Sequence, residues 1–251
     1  MVARWVPFAA AGAAVVAVGV IAAVLLVPAT PDEIARQPDA PSLTFAEQAP
    51  APPLAVEPTG PGTIGLVDEE WVSRTAATTG IPREAVLAYA GAALGAAEVD
   101  PECGIGWNTL AGIGYAESDH GRHGGATFES NGHVSPKIFG VPLDGTSTAH
   151  IPDTDGGEFD ETADIDRAIG PMQIIPQTWR SWPADGNGDL VPDPHNIYDA
   201  ALSAANYLCN STSDFRTPEG WTAGIAAYNA EPSYATSVAT AAQSYLDVTR
   251  G

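Results

Sequence analysis

The chain has 251 residues, with 31 acidic against 10 basic side chains and a formal charge of −21. So acidic a chain repels phosphate backbones, which excludes nucleic acid as a partner. Its 45% hydrophobic fraction suffices for a core and excludes a wholly disordered chain, while 26 Gly and 22 Pro predict long irregular stretches.

In chain order, the first element predicted is a membrane helix. Phe8 to Val27 is a run of 20 residues without a charge, about 30 Å as a helix, which matches the hydrocarbon core of a bilayer. Arg4 precedes it and the next basic residue is Arg36, so the amino terminus stays cytoplasmic and the rest is exported. Residues 1–29 are expected to be an uncleaved signal anchor. The alternative is a signal peptide, since Val27-Pro28-Ala29 offers small residues to a peptidase. Either way the protein is placed in the cell envelope on the extracytoplasmic side, anchored to the plasma membrane or secreted. Nine of residues 28–63 are proline, so 30–63 is predicted to be a Pro/Ala-rich linker with a reach of about 110 Å.

Residues 64–251 read as one mainly α domain with long loops. Leu66–Thr79 is predicted helical, with Asp68, Glu69 and Glu70 in its first turn and Gly80 as its stop. Pro82 opens a second helix, along which Val86, Tyr89, Ala90, Ala93 and Leu94 recur at helical spacing. Further helices are expected at Trp107–Ser118, Pro176–Trp182, Tyr198–Cys209, Pro218–Tyr228 and Ser233–Val248, with a Gly/Asp-rich loop over 121–168.

Glu117 lies 3, 4 and 7 positions after Gly114, Ile113 and Leu110, on the stripe of an apolar face near a helix carboxyl end. Desolvation and the helix dipole both disfavour its carboxylate, as a general acid near neutral pH requires. A surface acid is the competing reading. Glu117, His120 and His123 are spaced by three, but no second Glu-x-x-His and no His-Glu-x-x-His supports a metal centre. Gly-x-Ser-x-Gly elbows and phosphate loops are absent from the sequence. Asp185, Asn187, Asp189, Val191 (through its carbonyl) and Asp193 fall at positions 1, 3, 5, 7 and 9 of an EF-hand loop, which predicts a structural calcium ion. Leu190 and Asn196 depart from that pattern at positions 6 and 12, and a plain Asp/Gly turn is the alternative. Cys103 and Cys209, an even pair in an exported chain, predict one disulfide, with two buried thiols as the alternative.

The run Trp107-Asn-Thr-Leu-Ala-Gly-Ile-Gly-Tyr-Ala-Glu117-Ser118-Asp-His120-Gly121 resembles the catalytic segment of lytic transglycosylases with a lysozyme-like fold. Gly170-Pro171-Met172-Gln173-Ile174-Ile175-Pro176-Gln177-Thr178-Trp179 is similar to their second signature, and Ala227-Tyr228-Asn229 followed by Tyr234 to their third. With the Asp-rich loop and paired cysteines, residues 80–250 resemble the actinobacterial branch of the membrane-bound lytic transglycosylase B family. The resemblance implies a helical domain of the goose-type lysozyme and soluble lytic transglycosylase kind. It implies cleavage of the glycan strands of peptidoglycan between N-acetylmuramic acid and N-acetylglucosamine, leaving a 1,6-anhydromuramyl end. Glu117 would be the single acid/base, with Ser118, Met172, Gln173, Tyr228 and Asn229 contacting substrate or lining its cleft. The chemistry would need no cofactor, and the expected form is a monomer. Two other readings are carried: a hydrolytic muramidase, drawing a second carboxylate from Asp153, Asp155, Glu158, Asp160, Glu161, Asp164 or Asp166, and a non-catalytic glycan-binding scaffold.

Overall fold

The computed structural model describes residues 44–146 and 148–250. The expected anchor and the first part of the expected linker lie outside the described residues. No helix among the described residues is long and apolar enough to cross a membrane.

Seven α-helices are present in these residues, at nearly the expected positions. A 3-10 turn at Thr63–Leu66 precedes α1 (Glu69–Thr79). The helix starts three residues later than predicted because Asp68 is its cap, accepting the Trp71 amide at 2.7 Å. It stops at Gly80, which is left-handed at φ 73°. α2 (Arg83–Val99) is the central helix, with eleven residues buried from Ala85 to Ala96. Its alanines and glycines let neighbours approach from every side. α3 (Trp107–Ser118) follows, then α4 (Pro176–Ser181), α5 (Ile197–Ser211), α6 (Pro218–Tyr228) and α7 (Pro232–Arg250). α2 packs along α5 and α3 along α7, and α6 bridges α5 and α7. One continuous core results, in which Trp221, Tyr89, Phe215 and Leu110 are among the largest fully buried side chains.

The disulfide forms between Cys103 and Cys209. It ties the α2–α3 connection to the end of α5, across a sequence separation of 106, and chain entropy values such a closure at about 4–5 kcal/mol.

Two expectations differ from what is observed. Residues 44–63, predicted as linker, pack against the helical body. Phe45 meets Trp221 edge-to-face at 6.1 Å, and Ala46 is buried. Asn108 accepts the Ala49 amide at 2.8 Å and donates to the Glu47 carbonyl at 2.8 Å, while Gln48 accepts the Gly106 amide at 2.7 Å. Satisfied backbone groups, with one aromatic anchor, replace the large apolar surface that this stretch lacks. The region 121–168 is not wholly loop either. β1 (Thr127–Phe128) pairs antiparallel with β2 (Val134–Ser135), and β3 (Phe139–Pro142) with β4 (Arg167–Ile169). Strands of two to four residues carry no alternation to read, and β3 reaches a partner 25 or more residues away.

Candidate active site

Glu117 sits in the last turn of α3 with only 8% of its surface exposed. The helix reaches this depth because small residues line its path. At Gly114 an added Cβ would lie 1.9 Å from the Tyr89 hydroxyl, so only glycine fits. The Tyr234 hydroxyl, from α7, donates to Glu117 Oε1 at 2.6 Å. Burial pushes the Glu117 carboxyl up to about 8, outweighing the Tyr234 hydrogen bond, which acts in the opposite direction. The acid is therefore held protonated through neutral pH. Burial in turn raises the Tyr234 hydroxyl, and the neighbouring carboxyl adds to that.

The carboxyl opens onto a cleft lined by Glu117, His123, Phe139, Gly140, Val141 and Gln173. β3 supplies one wall. Its Phe139 ring is fixed by the Arg167 guanidinium, 4.5 Å from the ring centre, and by the His195 imidazole packed edge-on at 5.4 Å. Gln173 supplies another wall from a left-handed backbone at φ 48°, its amide donating to the Gly170 carbonyl at 2.8 Å. Among the described residues lining this cleft, Glu117 is the one carboxylate.

The other expected substrate residues are placed unevenly. Ser118 is turned into the protein: it donates to the Pro171 carbonyl at 2.5 Å and accepts the Gly121 amide at 2.8 Å. Met172 is fully buried, and its carbonyl accepts the Tyr228 hydroxyl at 2.7 Å. Its side chain serves the core, which the apolar character of methionine accounts for. Tyr228 and Gln173 also line an adjoining, largely apolar cavity with Ile174, Ile175, Thr178, Ser203, Ala204 and Tyr207. Asn229 is 1% exposed; its carbonyl oxygen accepts the Glu231 amide at 3.0 Å, and its Nδ2 has no partner within the protein.

Six of the seven loop acids are engaged, the exception being the exposed Asp164. Asp155 accepts the Gly157 and Phe159 amides, Asp160 those of Thr162 and Arg167, and Asp166 the Thr154 amide and hydroxyl. Glu158 pairs with Arg180 at 3.1 Å and Glu161 with Lys137 at 2.8 Å.

In the expected calcium loop, Asp185 accepts the Gly188, Asp189 and Leu190 amides, and Asn187 donates to Asp189 at 2.9 Å. Asp193 accepts the His195 amide at 2.8 Å and its other oxygen lies 3.1 Å from His133 Nε2. Sequence reasoning missed the group on which the loop closes. Asp199, in the first turn of α5, is fully buried and accepts the amides of Gly186, Asn187 and Asp193. Burial pushes its carboxyl up to about 6, and Asp185 adds to this. Asp185 and Asp199 both spend their oxygens on backbone amides of the loop, and among the described residues the loop carboxylates form no group of three close enough to share an ion. Elsewhere Asp153, Asp155 and Asp166 bring three carboxylates together, with ligand atoms all within 4.8 Å of one another.

His123, Phe139 and Val141 were also missed as cleft residues. Only the tertiary placement of β3 and the turn after α3 brings them beside Glu117. No protein-family model, curated protein or solved structure matches the chain.

Proposed function

We propose that the chain is a peptidoglycan lytic transglycosylase with a lysozyme-like helical domain, and that Glu117 is its single acid/base. The observation that carries this reading is one buried carboxyl, pushed up to about 8, in a cleft where no other described lining residue is a carboxylate. A hydrolase generally uses two carboxyls, one as acid and one as base or nucleophile. A transglycosylase draws its nucleophile from the substrate and needs one.

The protonated Glu117 gives its proton to the glycosidic oxygen as the bond from muramyl C1 breaks, and the N-acetylglucosamine unit leaves with a new hydroxyl. The Glu117 carboxylate then takes the proton of the muramyl C6 hydroxyl as that oxygen bonds to C1. The proton count closes, Glu117 is regenerated and no water is consumed. Tyr234 holds the carboxyl in place and stabilises its ionised form between the two steps. Asn229, its Nδ2 buried and without a partner inside the protein, is proposed to line the catalytic subsite. Calcium takes no part in these steps and is proposed as a structural ion of the 185–199 loop. Residues 1–29 are proposed to hold the enzyme, as a monomer, at the outer side of the plasma membrane beside its substrate.

Mass spectrometry of fragments released from purified peptidoglycan tests the reading. Anhydro ends, lighter than hydrolytic products by one water, are expected, and Glu117→Gln is expected to lower the rate by about 10²–10⁴-fold. Reducing ends would make the chain a muramidase instead. Binding without cleavage would make it a scaffold.

A further inference from the structure

After α3 the backbone runs through three successive residues of positive φ: Asp119 at 51°, His120 at 56° and Gly121 at 78°. Two of them carry a Cβ, for which this region is strained, and such a turn persists only where its surroundings over-determine it. The His120 imidazole provides that constraint. It is 1% exposed, with Nδ1 3.2 Å from the Tyr89 hydroxyl of α2 and Nε2 2.8 Å from the Tyr245 hydroxyl of α7. The rings of Tyr89, Tyr115 and Tyr245 enclose it at 5.6–5.9 Å.

A neutral imidazole satisfies both hydroxyls, one nitrogen donating and the other accepting. The charged groups facing it are Asp119 and Arg122, which pair with each other at 2.7 Å. Burial and Arg122 lower the His120 pKa to about 3, so the ring is neutral wherever Glu117 is titrated.

The same turn governs the site. The His120 amide donates to the Gly114 carbonyl at 2.9 Å, closing the helix end on which Glu117 rides. The Gly121 amide donates to Ser118, which in turn bonds Pro171, next but one to the cleft residue Gln173. We propose that His120 is the positioning residue of this site: by tying the left-handed end of α3 to Tyr89 and Tyr245, it sets where the Glu117 carboxyl meets Tyr234 and the cleft. This rests on Glu117 being the acid of the proposed reaction.

The test compares His120→Leu, His120→Asn and Tyr245→Phe in the full chain, by glycan-cleavage kinetics and by carbon-13 titration of the Glu117 carboxyl, which needs no turnover. His120→Leu is expected to lower kcat by about 10–100-fold with KM changed less than about twofold, as loss of positioning does. The Glu117 titration should move down toward the ordinary carboxylate range as water enters. Asparagine tolerates the left-handed backbone and keeps a hydrogen bond, so His120→Asn should recover part of kcat. Should His120→Leu fail to fold, the half-buried Tyr245→Phe decides, with a smaller loss of the same kind. Unchanged kcat together with an unchanged Glu117 titration in a folded variant overturns the proposal. A rise in KM matching the fall in kcat overturns it too. Absence of cleavage by the unaltered protein sinks the transglycosylase reading alone, and the Glu117 titration still decides whether His120 places that carboxyl.

Discussion

The raised pKa that suits Glu117 to donate a proton also makes the folded protein sensitive to pH. Its carboxyl titrates near 8 in the folded chain against 4.5 as the ordinary value. Between those values the folded state binds more protons than the unfolded one, so stability falls as pH rises from about 4.5 through 8. Glu117→Gln removes this penalty while keeping the shape. Thermal unfolding of the variant is expected to match the unaltered protein near pH 4, and to lie higher by about 5 °C or more at pH 8.5. An equal melting temperature at both pH values would mean that the carboxyl is not buried as described. At this scale Glu117 was legible, since its helical stripe and position near a helix end both point to desolvation. Tyr234 could be read as part of a motif but not as the partner of Glu117, because 117 residues of chain separate them. Met172 was misplaced because an apolar side chain beside a cleft residue reads the same whether it faces substrate or core.

Helices were the legible elements. Asp68, Gly80, Pro82, Pro176 and Pro218 mark their ends by ordinary capping chemistry, and the apolar spacing fills in between. The strands and the closing of the 185–199 loop were not, because both depend on partners distant in the fold. Asp199 shows this well: fourteen residues after Asp185, it lies beyond the twelve-residue span of an EF-hand loop. Its buried carboxyl beside Asp185 predicts a response to calcium. Adding calcium should raise the melting temperature, with chelation reversing the gain and Asp199→Asn abolishing it. A gain that survives Asp199→Asn but is lost in Asp155→Asn would move the ion to the Asp153, Asp155 and Asp166 cluster.

For the whole molecule, the folded unit starts earlier than composition indicates. A fragment spanning 64–250 loses the Phe45 contact with Trp221, the bonds from residues 47–49 to Asn108 and Gly106, and the Glu47–Arg250 ion pair. It leaves the buried Asn108 amide short of partners, which costs about 1–3 kcal/mol. Relative to 44–250 it should melt lower by several degrees; identical melting curves would show that the segment adds nothing.

The partner of Glu117 arrives late. Tyr234 belongs to the last of the described helices, and α7 docks along α3 only after 117 further residues have been added to the chain. A ribosome that has made Glu117, Ser118 and the whole cleft wall has still made an acid with nothing to hold it. The hydrogen-bonded acid of the proposed site is therefore complete only once α7 has been made and has docked along α3. Under the proposed function, a chain stopped before Pro232 would carry the acid of the site without the hydroxyl that holds it.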